Sequence, residues 1–520
     1  MRSLAELKST VQRALRILGR ARDVREAEVY ASSTGQLTCR LNYTSQIPCN
    51  GVEEPKSSEH FGIGIRAVFT GTGAPRIGFG SEARDLSVRG IQRALEKARA
   101  NAVPDPHFVS LPAPDPPAPG KKAPAYHDRR IMDLADAALV DTGWQVVQDA
   151  LKTFSSSEAL ARLAGAKDKL AALGLIVGGD VTLFRQRVAL ASTRAPRAQT
   201  DESTSVTSSI TAMVERRQAK GSGYATATHL AHFKGETGGA AAAGAIHSTG
   251  GQRLAGGSYP VVLGPQPVAD LMTNVILPSL SADAFFSSRS AFLGELGRPV
   301  ASSLLTIYDH GAAKGLVGTR AITCEGLPTG RTDLIKRGVL EGLLSSHYET
   351  ERLVRDPHAR EKLGVNPKDH PEALVPRNGF RLSSRGGRQF DVPPTIAATN
   401  VCIEGADPHT TDSLLRFVGD GVYIGRIWYT YPMNGLRAGD FTCTVTGDSY
   451  LIRNGKLATP LQPNTIRITG NIKALLRNVV GVTRRATPLV GWGADEVIYA
   501  PEIAVRELQL AEIAQFMEAV

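Results

Sequence analysis

Residues Tyr259–Phe285 read YPVVLGPQPVADLMTNVILPSLSADAF, and the interpretation of the 520-residue chain turns on them. Pro260-Val261-Val262-Leu263 is a β-branched, strand-forming run and Gly264-Pro265 is a turn. Pro267 suits a first helical position, where its missing N–H has no partner to lose. Strand, tight turn and helix therefore follow in quick succession.

On the N-terminal side of this element, Gly235 to Gly257 is rich in Gly, Ala and Ser, the sharpest composition shift in the chain. It marks a boundary between an N-terminal domain (1–235) and a C-terminal domain (258–520), with 236–257 as linker. A flexible linker and a small-residue helix both fit Gly239 to Ala245. The N-terminal part opens with Leu4, Leu7, Val11, Leu15 and Leu18 at helical spacing, an amphipathic helix that needs a sheet to cover. Short β-rich runs follow at Ala27 to Ser32, Leu37 to Tyr43, Phe61 to Phe69 and Arg76 to Phe79. Asp85-Leu86-Ser87 then caps a second helix that runs through Ala102. Proline-rich residues 104–124 predict an extended connector. Ile131 to Ala172 reads as helix in two pieces broken near Ser155-Ser156-Ser157. Strands resume at Leu175 to Val177, Val181 to Arg185, Val188 to Ser192 and Thr204 to Glu215.

On the C-terminal side, short strands separated by turn signals dominate, among them Thr395 to Ile403, Val422 to Tyr429, Gly439 to Val445, Ser449 to Arg453 and Ile498 to Val505. Asn454-Gly455 predicts a type I′ hairpin turn, because both residues tolerate positive φ. The expected class is α+β: an N-terminal antiparallel sheet with covering helices, and a C-terminal β-rich domain carrying the strand-turn-helix element at 259–285.

Composition narrows the function. The chain is 42% hydrophobic and 21% charged, as a globular protein is. Its net charge of +10 and pI near 9.4 permit an acidic partner, but the basic residues are scattered among acids without an aromatic-interleaved cluster, so nucleic acid is not favoured. Cys39, Cys49, Cys324, Cys402 and Cys443 are odd in number, widely spaced and without a C-x-x-C pair. That pattern removes a zinc ribbon or disulfide framework and fits cytoplasmic thiols. No window approaches the ~18 apolar residues of a membrane span. A soluble cytoplasmic protein is expected.

A zinc peptidase needs three protein ligands, an open coordination position and a carboxylate to take a proton from metal-bound water. The chain contains neither H-E-x-x-H nor H-E-x-x-x-H. His229 and His232 have no glutamate between them, and His247 and His310 lack ligand spacing. No G-x-S-x-G elbow is present, and Cys324 and Cys443 read most simply as buried small hydrophobes. Gly62-Ile-Gly-Ile and Gly235-Glu-Thr-Gly-Gly lack the Walker lysine and the Rossmann spacing.

An ordered series of landmarks nonetheless runs along the chain. Glu28-Val-Tyr-Ala-Ser, Gly62-Ile-Gly-Ile-Arg-Ala-Val, Gly78-Phe-Gly and Asp85-Leu-Ser come first, then Tyr259-Pro-Val-Val-Leu, Glu325-Gly-Leu-Pro-Thr-Gly-Arg-Thr, Gly338-Val-Leu-Glu-Gly, Gly447-Asp-Ser-Tyr-Leu-Ile-Arg-Asn-Gly and Ile468-Thr-Gly-Asn-Ile. In this order they resemble the TldD/PmbA family, also known as modulators of DNA gyrase. The resemblance implies two kinds of chain. TldD-type chains carry H-E-x-x-x-H on the helix after the P-V-V-L strand, and a later cysteine, and hold a zinc. TldE (PmbA) chains share the fold without that set. A five-residue step on an ideal helix separates two side chains by about 140°, so the motif implies a local bulge.

Registered on that motif, Thr273 takes the first His, Asn274 the Glu and Pro278 the second His, and Gly491-Trp-Gly-Ala-Asp-Glu near the C-terminus holds no cysteine. The chain resembles the TldE kind. The implied role is that of a noncatalytic subunit in a heterodimeric zinc metalloprotease that cleaves unfolded or modified peptides. No metal is expected in this chain, and zinc is expected in a TldD-type catalytic partner. The alternative is a standalone homodimeric protein that binds a peptide or an acidic partner without protease activity.

Overall fold

The computed structural model describes residues 1–47, 51–71, 73–113, 126–233, 236–383 and 386–514. Cys49 and residues 114–125 of the proline connector lie outside them. Helix α1 (Leu4–Leu18) starts at Ser3, whose hydroxyl accepts from the Glu6 N–H, and buries Leu7, Val11, Ala14 and Leu18. With α2 (Val88–Ala100) it covers part of an antiparallel seven-stranded sheet, as the alternation of short β-rich runs predicts. Its strands are β1 (Val24–Thr44), β2 (Lys56–Phe69), β3 (Arg76–Ala83), β4 (Val103–Pro104), β5 (Leu175–Ser192), β6 (Gln199–Val214) and β7 (Ala219–Ala227), in the order β4-β3-β2-β1-β5-β6-β7.

The strands are longer than the sequence suggests. Ser33-Thr34-Gly35 reads as a break between two runs, yet it continues β1 without interruption, with Thr34 opposite His60 on one side and Gln186 on the other. Three short runs likewise merge into β5. Gly179 sits there at φ +133°, and a Cβ on it would lie 2.1 Å from the Ser209 carbonyl oxygen, so only glycine fits.

Period-2 alternation gives this sheet two different faces. Odd positions of β1 (Ala27, Val29, Ala31, then Leu37, Cys39, Leu41) pack in apolar cores under the helices. Even positions (Glu28, Tyr30, Ser32, Thr34) are equally buried but mostly polar, and this inner face receives the C-terminal half of the chain.

The helical region is Arg129–Met132, Asp136–Ser156 and Glu158–Ala164, ending in a 3-10 turn at Lys167–Leu173. Of the two readings of Gly239 to Ala245, the structure contains the helix, Thr237–His247. It lies against Asp136–Ser156 so closely that a Cβ on Gly238 would sit 1.9 Å from the Val146 carbonyl oxygen. The small residues are a packing surface.

The C-terminal half forms a 13-stranded mixed sheet among the described residues. Its central strand, Val497–Glu512, pairs parallel with Asn400–Gly405 and antiparallel with β8 (Gly257–Leu263). Asn454 and Gly455 both have positive φ, as a type I′ hairpin requires. β8 runs through the middle of this sheet, and the helix that follows it packs Val268, Leu271, Met272, Val275 and Ile276 into the largest core. The helix opens on Pro265, two residues earlier than the sequence indicates, with Gly264 as N-cap. No helix of the described residues is long and apolar enough to cross a membrane.

Candidate functional site

The helix after β8 is not uniform. Pro265–Leu271 is α-helical, Met272–Ile276 is a π turn, and Leu277–Ser279 returns to α geometry. An i→i+5 turn brings residues five apart onto one face. Pro278 favours it, since it has no N–H to return to the residue 274 carbonyl. Thr273 and Pro278 accordingly both line one cleft of about 550 Å³, while Asn274 is exposed and turns its amide back to the Asp270 carbonyl oxygen at 3.0 Å.

The cleft lies between the halves of the chain. Arg66 of β2 forms part of one wall, and Asp283, Tyr348 and Glu349 form part of the other. Arg66 donates to Glu28 at 2.8 Å, and Arg381 binds the other oxygen of the same carboxylate. Burial opposes the charge on Glu28, but these two guanidinium groups outweigh it and hold its carboxyl below the ordinary value. Asp283 accepts from Arg289 at 2.7 Å and from Arg352 at 2.8 Å. Glu349 is pushed up to about 7 by burial, against the pull of Arg352, so it is divided between its acid and base forms near neutrality. Thr273 donates its hydroxyl to Glu496, from the segment Gly491-Trp-Gly-Ala-Asp-Glu. Next to it, burial raises Asp495 to about 6, and its Oδ1 accepts from the Gly387 N–H at 2.6 Å.

A second recess, of about 380 Å³, lies on the other side of this segment, which contributes Gly491 to Gly493 to it and Glu496 to the cleft, with Leu489 and Val490 of the preceding strand beside them. Asp270 lines this recess, and burial raises its carboxyl.

The donor set does not suit zinc. A threonine hydroxyl, an outward-turned asparagine amide and a proline ring cannot replace two imidazoles and a general base. Among the described residues, no group of three or more His, Cys, Asp or Glu side chains is arranged to hold a metal. The rings of His229 and His232 lie 5.4 Å apart and tilted by 50° around a 3-10 turn, and neither lines the cleft. His247 ends the helix Thr237–His247, and His310 lies in the strand Leu305–His310. Cys324 is buried against the Tyr30 hydroxyl and Cys443 lies in the main core, and burial raises both thiols. Neither is an activated nucleophile.

Glu496, Glu349, Asp283 and Arg66 are the cleft residues that motif reading passes over. The only signal for Glu496 is its place in the Gly-rich segment near the C-terminus, where a search for cysteine looks past a carboxylate.

The sequence matches the C-terminal domain of the PmbA/TldA metallopeptidases over 256–512 and domain 1 of the same proteins over 50–102. It is 28% identical over 232 residues to a metalloprotease of Synechocystis, covering 44% of this chain and 42% of that one. It is 22% identical over 230 residues to the metalloprotease PmbA of Escherichia coli O157:H7, covering 43% and 40%. The chain thus matches about four-tenths of the length of these curated relatives. Its fold is that of TldE from Thermococcus kodakarensis, at TM-score 0.73 and 17% identity over 96% of this chain and all of that one. A modulator of DNA gyrase from Thermotoga maritima superposes with TM-score 0.71 at 17% identity, over 97% of this chain and 99% of its own. The two matched segments fall in order on the first sheet with its helix α2 and on the C-terminal half that opens with β8, and the chain belongs to the PmbA/TldD family.

Proposed function

We propose that this chain is a TldE/PmbA-like, noncatalytic subunit of a cytoplasmic heterodimeric metalloprotease whose zinc belongs to a TldD-type partner. One observation carries the reading: the helix that would bear the metal motif keeps its place and its π turn, but presents Thr273, Asn274 and Pro278. Such a chain contributes a wall of the peptide chamber and holds the substrate. Strand addition suits that task, because an extended peptide pairs its main chain with a sheet edge and few of its side chains are read.

Coexpression with a TldD-type chain tests it. The expected result is copurification, zinc in the mixture and not in this chain alone, and cleavage of an unfolded peptide only by the mixture. Zinc-dependent cleavage by this chain alone would overturn the proposal. So would a stable homodimer that ignores the TldD-type chain, the behaviour of a standalone binding protein.

A further inference from the structure

The recess of about 380 Å³ on the far side of Gly491–Glu496 has a construction of its own. Its floor is the inner face of the first sheet, where Thr182, Thr207, Ser209 and Thr226 present uncharged hydroxyls that donate or accept. Its mouth carries two indoles, Trp428 and Trp492, with centroids 6.2 Å apart and planes at 64°. Trp492 is 86% exposed, the most exposed large apolar side chain described, and Tyr429, 69% exposed, meets Trp428 edge-on at 6.4 Å. Folding gains nothing from leaving such rings in water.

Of the charged groups lining the recess, Asp180 pairs with Arg40 at 3.0 Å, and Arg426 donates to Thr211 and Ser222, both at 2.9 Å, while its charge acts on Asp448. Asp270 has no cation paired with it among the described residues, and burial raises its carboxyl toward the neutral form. An uncharged occupant leaves these groups as they are. The strands Arg426–Met433 and Val479–Val490 both line the recess, and each has a single strand partner among the described residues. The Gln266 amide takes up the Ile427 N–H and carbonyl of the first and His409 bridges Thr483 of the second, so main-chain pairing is left to the stretches beyond these contacts. At the rim the first of these strands bulges, with Tyr429 at φ +56°.

We infer that this recess is a side-chain subsite for an extended peptide, taking an uncharged, planar ring packed against the Trp428–Trp492 pair while the peptide main chain lies along the bordering strands. Offset and edge-on aromatic contacts favour a ring, the hydroxyl floor satisfies polar atoms on its rim, a Glu would bring a second carboxyl beside Asp270, and a Lys has no ring to meet the indoles. This rests on the reading of the chain as a peptide-holding subunit, and adds where the peptide is held and which residue is selected.

The test uses the full chain carrying Trp144→Phe, with excitation selective for tryptophan, so that the indole emission comes from Trp428 and Trp492. The probes are blocked pentapeptides, identical except for a central Phe, Ala, Lys or Glu, together with N-acetyl-phenylalaninamide. The Phe peptide is expected to change the emission saturably, and the Ala, Lys and Glu peptides to bind roughly tenfold or more weakly, the loss of about one aromatic contact. The blocked single residue should also bind more weakly than the Phe pentapeptide. By calorimetry, Trp492→Ala should weaken the Phe peptide and spare the Ala peptide, and Trp428→Phe should retain most of the affinity. Equal binding of Phe and Ala peptides, no binding of any peptide, or undiminished binding by a Trp428→Ala/Trp492→Ala variant would overturn the subsite. The single residue binding as tightly as the pentapeptide would overturn the main-chain part. If the ring is selected but the chain neither copurifies with a TldD-type subunit nor supports cleavage, the proposed function fails and the subsite stands; the reverse pattern fails the subsite alone.

Discussion

The hydroxyl of Thr273 donates a 2.8 Å hydrogen bond to Oε1 of Glu496, tying the helix after β8 to the segment that precedes the central strand. A carboxylate therefore lies beside the first motif position, on the face that Thr273 shares with Pro278. Thr273→His combined with Pro278→His should place two imidazoles on that face with Glu496 as an available third ligand. Competition with a chromophoric chelator should show zinc bound by the double variant and not by the parent. A variant that binds no more zinc than the parent would mean that the π turn does not align the two positions.

Arg388 is 2% exposed and donates to Asp201 at 2.6 Å and to Gln186 at 2.7 Å, crossing from the C-terminal half to the inner face of the first sheet. Arg388→Ala leaves the Asp201 carboxylate buried without its partner, and should cost about 3–5 kcal/mol of stability. Arg388→Met with Asp201→Asn should cost less than the single substitution. Thermal unfolding of the three proteins checks the order; equal losses would mean that the pair is not coupled.

Burial raises Asp309, Asp448 and Asp495 each to about 6, from an unfolded value near 3.8. Their folded-state protons stabilise the chain fully below the unfolded value, and that stabilisation is lost as pH rises through about 6. Glu28 acts in the opposite sense, but only at pH below its ordinary value. The unfolding temperature should therefore fall between about pH 4 and pH 6, and Asp448→Asn should flatten the slope. An unchanged slope in that variant would exclude Asp448 as a contributor.

Gly238→Ala should separate the helices Thr237–His247 and Asp136–Ser156, at a cost of roughly 1–3 kcal/mol. Ala240→Gly on the same helix keeps the contact and should cost less than about 1 kcal/mol. Matching unfolding temperatures for the two variants would contradict close packing at Gly238.

The β8 strand, its helix and the hairpin at Asn454-Gly455 were legible because local chemistry fixes them: β-branched residues, prolines and glycine at required φ. The length of β1 was not, since Ser33-Thr34-Gly35 carries turn chemistry, and pairing on both sides overrides it. The Gly/Ala stretch was ambiguous because small residues serve a flexible linker and a tight helix contact equally well. At the cleft, the replaced motif positions were readable by register, whereas Glu496, Glu349 and Arg66 converge from distant parts of the chain. No local pattern announces a wall assembled from separations of more than two hundred residues.

The polar inner face of the first sheet also bears on synthesis. All seven of its strands have emerged by Ala227, roughly 150 residues before Arg381 and Arg388, an interval of about 8–30 s at ordinary translation rates. Throughout that interval the face destined for the second half displays Glu28, Ser32, Thr34, Gln186, Asp201 and Ser203, which water solvates well, around a smaller apolar patch of Tyr30, Val188 and Leu190. An apolar face of the same area would attract other nascent chains. The buried arginines thus allow the first domain to wait in water on the ribosome and still be sealed when its neighbour arrives.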